Sequence, residues 1–385
     1  METILQNKTM YLNLEMLTNS LYVGIDPHKY EHHIIIANRH MDVLRELKVK
    51  NSSSDINLLI KEINKIKTKG YFNNVIIGIE GYHGNGDFLT RNLLISFDYV
   101  YEVPVCMTSR YRKSNVYREK TDRIDAMGVI NGLTQHLSEL SVINSESSNE
   151  TSMMIKDLNM SRERLVEFRI GQKNAVHHLM QHLDPEYIKV VKHFDSKKAR
   201  KQTKEFCSKV MTKKDVSNEL KLRAKLIISH IDMIDNIVEQ INMLEKEMEN
   251  LLSTSKYMKI IESYKGISFV LMSQLLSHIY TIDRFATPEK FCKYCGITPV
   301  SFSSGNSTKF HNTKFGVKSL RTVLRTISIV RIRRVPEDGE YYQKQLARGK
   351  NPKQAMKLVM RRNALTIYAL LRKDQAYITP VLRAN

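Results

Sequence analysis

The clearest hydrophobic pattern in the chain lies between Leu21 and Val103. Two short apolar runs, Tyr22-Val23-Gly24-Ile25-Asp26 and Val75-Ile76-Ile77-Gly78-Ile79-Glu80, have β-strand composition, and each ends on a carboxylate. Between them the pattern predicts a turn at Pro27-His28-Lys29 and a second strand over His33-Ile34-Ile35-Ile36-Ala37. A third strand over 42–49 carries the polar interruptions of a sheet edge. Residues 51–55 offer helix caps before Ile56-Asn57-Leu58-Leu59-Ile60, where the apolar spacing turns helical. After Glu80 come a glycine-rich strand-to-helix turn, a helix from about Asp87 to Ile95 and a strand over Tyr99-Val100-Tyr101-Glu102-Val103. The stretch Glu119-Lys120-Thr121-Asp122-Arg123-Ile124-Asp125-Ala126 then opens a helical run with two carboxylates three residues apart on one face. The element order is β-β-β-α-β-α-β-α. An acid delivered by a buried strand is costly unless it meets a cation or a donor, so Asp26, Glu80, Asp122 and Asp125 become candidates for one site.

The pattern changes after about Val142, where long helical runs rich in Lys, Glu, Gln and Asn begin. Leu158, Leu165, Phe168, Val176, Leu179 and Leu183 recur near multiples of about 3.5 residues, and Asp184-Pro185 stops them. Ile227, Ile231, Ile234, Val238, Ile241, Leu244, Met248 and Leu251 step by fours and threes with one slip, the signature of a coiled-coil hairpin or dimer seam. Between these runs, 197–214 reads as a basic, helix-poor connector. From Lys256 a mainly helical domain is expected, with Gly266 as a turn and 301–305 as an exposed serine loop able to bind phosphate or attack it. The expected organisation is an extension over 1–20, an α/β domain over 21–141, a helical coiled-coil region over 142–255 and a C-terminal domain over 256–385.

Charge narrows the function. Lys and Arg number 60 against 40 Asp and Glu, a net charge of +20, which points to a polyanionic partner, nucleic acid rather than a membrane surface. From Ser301 to Asn385 the count is 18 basic against 4 acidic residues, a net +14, so phosphates are expected there. No apolar run approaches the roughly 18 residues of a membrane span, and residues 1–21 are too polar for a signal peptide, so a cytoplasmic protein is expected. Cys292 and Cys295 form a C-x-x-C without a second pair, and all four cysteines are read as small packed apolar residues. His28, His32, His33 and His83 could touch phosphate or metal, but are read as solvated polar positions. Four hard carboxylates suit magnesium, and two such ions about 3.5–4 Å apart serve phosphodiester chemistry by activating the attacking oxygen and neutralising the leaving one.

The element order and acid positions resemble the RNase H-like fold in its RuvC-type branch. Further along, the ordered motifs Gly-Ile-Asp26, Ile-Glu80, Lys-Thr-Asp122-x-x-Asp125, Arg-Phe285, Gly-Ile-Thr-Pro299 and Ser-Ser304-Gly305 resemble the DEDD-type transposases of insertion sequence family one-ten, to which the Piv-type DNA invertases are related. The resemblance runs from about Leu21 to Lys373. It implies a RuvC-like domain, a coiled coil and a C-terminal transposase domain whose serine attacks DNA. It also implies a dimer or tetramer joined through the coiled coil, a double-stranded DNA substrate and, as in many members, a non-coding bridge RNA. Position by position, Asp26, Glu80, Asp122 and Asp125 match the acidic tetrad for Mg2+ or Mn2+, and Ser304 matches the nucleophile, with Ser303 as its alternative. The helix start Lys314-Phe315-Gly316-Val317-Lys318-Ser319-Leu320-Arg321 makes Lys314, Lys318, Arg321 and Arg325 candidate DNA-backbone contacts. The chain departs from the pattern at Asn306 and at Tyr264-Lys265-Gly266, which replaces a more usual Pro-Gly. The implied activity is excision and insertion of an element by strand cleavage and rejoining through a phosphoserine. Two alternatives stay open: a RuvC-like junction endonuclease that uses water, and a non-catalytic nucleic-acid-binding derivative.

Overall fold

The computed structural model describes residues 17–81, 84–114, 119–143, 150–191, 193–304, 307–312 and 316–378; at 150, 299–304 and 307–312 it describes the main chain alone. The chain divides into two compact units, 1–149 and 150–385.

Six strands form the sheet of the first unit: β1 (Ser20–Asp26), β2 (Glu31–Ala37), β3 (Val43–Lys50), β4 (Asn74–Glu80), β5 (Tyr99–Val103) and β6 (Ser141–Val142). Their order is β3-β2-β1-β4-β5-β6. The pairs β1–β2, β2–β3 and β5–β6 are antiparallel, while β1–β4 and β4–β5 are parallel. This mixed sheet agrees with the RNase H-like reading, and β3 is an exposed edge strand as its polar interruptions predict. Helices α1 (Ser53–Lys69), α2 (Asp87–Ser96), α3 (Val105–Ser114) and α4 (Asp122–Gln135) accompany it. Neither α3 nor the two-residue β6 is predicted from the sequence pattern.

Strand parity divides the sheet into two faces. Leu21, Val23 and Ile25 of β1 and Val75, Ile77 and Ile79 of β4 pack with Ile56, Leu59 and Ile63 of α1 and Leu89 and Leu93 of α2. The intervening Tyr22 and Ile76 pack on the opposite face with Ala126, Val129, Ile130 and Leu133 of α4. Gly24 and Gly78, paired in register, belong to that second face. A Cβ on Gly24 would lie 2.4 Å from the Ala126 carbonyl oxygen, and one on Gly78 would lie 2.7 Å from Val129 Cγ1. Missing side chains in two adjacent strands therefore let α4 sit directly on the sheet.

In the second unit, α5 (Glu150–Leu183) is followed by α6 (Pro185–Val190), α7 (Lys197–Thr212) and α8 (Asn218–Ser253). The long α5 and α8 run antiparallel: Arg162 Nε donates to Glu245 Oε1 at 2.7 Å near one end, and Arg223 Nη1 donates to the His182 carbonyl at 3.2 Å near the other. Ile227, Ile231 and Ile234 of the heptad stripe are buried within the chain, with Val176 and Met180 of α5 and Cys207 of α7. Phe168, assigned to the apolar stripe of α5, instead points outward at 63% exposure.

The basic connector is a helix. In α7 the Ser196 side chain accepts from Ala199 N, and the buried Arg200 Nε donates to Asp235 Oδ1 at 2.7 Å. Lys204 pairs with both Asp232 and Asp235, so the charges that suggested a solvated linker dock α7 on α8.

Beyond α8 lie α9 (Met258–Ser263), α10 (Phe269–Ile279), α11 (Pro288–Tyr294), a hairpin of β7 (Pro299–Ser304) and β8 (Ser307–Asn312), and α12 (Lys318–Arg334), α13 (Pro336–Ala347) and α14 (Pro352–Lys373). All of these helices except α13 share one apolar core. At the Tyr264-Lys265-Gly266 departure, Tyr264 donates to Asn363 Oδ1 at 2.8 Å, and Arg331 lies over the Tyr264 ring while bonding to Asp338 and the Lys265 carbonyl. Cys207, Cys292 and Cys295 are buried as expected, but Cys106 is exposed. No helix among the described residues is long and apolar enough to cross a membrane.

Gly24→Ala should lower the unfolding free energy by about 1–3 kcal/mol, because its methyl meets main chain that cannot swing aside. Gly171→Ala, in mid-helix with nothing within 4 Å of the added carbon, should raise it by about 0.5–1 kcal/mol. Urea unfolding of the two variants beside the parent checks both signs.

Candidate active site

Asp26 is the last residue of β1 and Glu80 the last of β4, and the register places these parallel strands side by side up to Ile25 and Ile79. Both acids share the strand parity of Gly24 and Gly78, which is the α4 side of the sheet. Thr121 caps α4 by accepting from Ile124 N, so Asp122 is the first helical residue and Asp125 follows one turn later. Asp125 is buried, whereas the Asp122 side chain is 55% exposed. The residue types at this helix start suit it, since carboxylates in a first turn face the positive end of the helix dipole.

The four acids converge electrostatically. Burial pushes the Asp26 carboxyl above its ordinary range, and Asp125 and Asp122 push it further while His28 opposes them. Glu80 is also raised, first by burial and then by Asp26 and Asp125, against a hydrogen bond from Thr108 and the charge of Arg112. Two residues of α3 thus enter the site: Thr108 Oγ1 donates to Glu80 Oε1 at 2.9 Å, and Arg112 Nη1 donates to Asp125 Oδ1. Behind them, Glu46 of β3 binds His33 through one oxygen and Arg123 of α4 through the other, each at 3.0 Å, fastening the helix start to the sheet.

Two of the histidines expected to be solvated are not, while His28 is half-exposed. His32 and His33 are buried, and His28 Nε2 lies 3.5 Å from Asp26 Oδ2 and 3.3 Å from Asp122 Oδ1. His83 lies outside the described residues. Ligand atoms of Asp26, His28 and Asp122 all fall within 4.8 Å of one another, a cluster of candidate metal ligands. With the Asp26 carboxyl held above its ordinary ionisation range by burial, this set of two carboxylates and an imidazole fits a divalent cation.

The remaining candidates belong to the second unit. Ser303 and Ser304 end strand β7, and Ser304 pairs with Ser307 across the hairpin, so the expected loop is a strand end. Their side chains, like all of Lys314, lie outside the described residues. Lys318 opens α12 and is exposed; Arg321, half-buried, and Arg325, exposed, follow at helical spacing on the same side. Thr108 and Arg112 are absent from the sequence-derived set because the polar run that carries them has no strong periodicity.

Two family models match the chain. One, described as "Transposase" and named for the DEDD transposases of IS110, covers residues 23–185, and the other, "Transposase IS116/IS110/IS902 family", covers 258–343. The chain belongs to the IS110 family of transposases. It is also similar to the "Insertion element IS110 uncharacterized 43.6 kDa protein" of Streptomyces coelicolor, at 26% identity over 140 residues, 36% of this chain. That match spans about a third, 35%, of the relative's length. The first IS110 match begins within β1 and contains all four acids; the second ends in α13 and contains Ser304, Lys318, Arg321 and Arg325.

Because Asp26 and Glu80 are raised in the folded protein, the folded state holds more protons than the unfolded one. Cation-free stability should fall as pH rises from the ordinary carboxylate range through the raised values. Asp26→Asn should therefore raise the cation-free melting temperature at neutral pH and remove most of the further rise that a divalent cation gives the parent. Differential scanning calorimetry with and without chelator measures both.

Proposed function

We propose that the protein is a transposase that excises and inserts its element by cutting and rejoining DNA strands. The observation that supports this most is the convergence of Asp26, Glu80, Asp122 and Asp125 on one face of the sheet in a chain of the IS110 family. Asp26, Glu80, Asp122 and Asp125 hold Mg2+ or Mn2+. A cation held there would supply charge neutralisation for the phosphodiester.

The chain's own groups carry the rest. Ser304 is the nucleophile: its oxygen bonds to phosphorus, one DNA oxygen leaves as a hydroxyl and takes up the serine proton, and rejoining reverses the exchange. Thr108 and Arg112 hold Glu80 and Asp125 in place. Lys318, Arg321 and Arg325, with Lys314 just before them, bind the DNA backbone, in keeping with the local charge of the C-terminal region. A bridge RNA from the element guides target choice, and the net charge of +20 accommodates a second polyanion. Copies associate through the long α5–α8 region as a coiled coil, where Phe168, Leu222, Met233 and Met243 present apolar surface outward.

The test is covalent trapping on DNA carrying the joined element ends, with Mg2+ and the flanking RNA. Wild type should give a protein–DNA adduct that both Ser304→Ala and Asp122→Ala abolish. Cleavage without an adduct, indifferent to Ser304→Ala but lost in Asp122→Ala, would replace this reading with a junction endonuclease. For the backbone contacts, each of Lys318→Ala and Arg325→Ala should reduce the slope of log affinity against log salt by about 1, across unrelated DNA sequences.

A further inference from the structure

His28 stands in the β1–β2 turn, two residues past Asp26, and has no part in the tetrad. Its ring nitrogen Nε2 is shielded from solvent and, among the described residues, makes no hydrogen bond, although carboxylate oxygens of Asp26 and Asp122 lie 3.5 and 3.3 Å away. The nitrogen thus stands within ion-pair distance of two acids and is hydrogen-bonded to neither. A single cation with ligand bonds of about 2.1 Å can be shared by atoms up to about 4.2 Å apart, and both separations fall inside that limit.

The other two acids are differently furnished. Glu80 accepts from Thr108, and Asp125 accepts from Arg112. One half of the site therefore pairs oxygens with an imidazole nitrogen, while the other half pairs oxygens with donors from α3.

We propose that His28 is a nitrogen ligand, together with Asp26 and Asp122, for a divalent cation, and that this mixed set selects Mn2+ over Mg2+. The proposal rests on the reading of the acids as a metal site. Magnesium demands oxygen ligands in near-ideal octahedral geometry and keeps its water, so an imidazole adds little to its binding. Transition ions accept imidazole readily, and the gain grows along the series that begins with Mn2+. Pro27 restricts the backbone just before His28, limiting the freedom the turn has to carry the ring away.

Pulsed EPR of Mn2+ bound to the full-length protein without DNA reads the ligand directly, because a coordinated ring nitrogen modulates the echo. Wild type should show that nitrogen signal. His28→Ala should lose it and weaken Mn2+ binding roughly 10-fold or more, with Mg2+ affinity changed less than about 3-fold, so that the preference for Mn2+ collapses. His136→Ala, at the far end of the Asp122–Gln135 helix, should keep the signal, which also serves as a folded control. Mn2+ binding that depends on Asp26 but shows no nitrogen signal and ignores His28→Ala would overturn the role of His28 while leaving the acidic site standing. Failure of the wild type to bind Mn2+ at all would overturn both.

Discussion

The arrangement of the first unit depends on one close approach, that of the Asp122–Gln135 helix to the sheet at Gly24 and Gly78. A side chain at either position would lift the helix by roughly the depth of a methyl group, and core substitutions of that kind are not absorbed elsewhere because interiors are close-packed. The contact matters beyond stability. Asp26 and Glu80 are fixed by strand ends and Asp122 and Asp125 by a helix start, so their mutual distances are set by how deeply that helix sits.

Bringing four acids together without a cation carries a cost, and the fold meets it locally. The raised ionisation of Asp26 and Glu80 records burial first, to which the neighbouring acids add repulsion. Around it stand opposing groups: His28 beside Asp26 and Asp122, Thr108 on Glu80, Arg112 on Asp125, and Arg123 tied back to Glu46. Such a centre trades folding free energy for the capacity to hold charge, as functional sites commonly do.

Much of this was legible in the chain. The runs Gly-Ile-Asp26 and Gly-Ile-Glu80 state both the strand and its parity, and the paired glycines two residues before each acid were themselves a sign of close backbone approach that the hydrophobic pattern alone did not use. What stayed hidden depended on partners far along the sequence. The helix Val105–Ser114 buries Thr108 but few other side chains, so it leaves little periodic trace. The helix Lys197–Thr212 looked like a linker because Arg200 and Lys204 read as solvated, when their acids lie more than 25 residues away on a neighbouring helix. Phe168 fitted a stripe by spacing and yet faces outward, since a long straight helix drifts from a seven-residue repeat.

The two borders of the sheet also bear on how copies of the chain can meet. On one side β3 displays Arg45, Glu46, Lys48 and Lys50 along an exposed border, and on the other β6 contributes only two residues. Charged and truncated borders resist the addition of a further strand. Main-chain pairing of sheet to sheet, the commonest route to fibrous self-association, is therefore disfavoured at both ends, and a protein produced beside its own nascent copies on a polysome is protected from joining them by strand exchange.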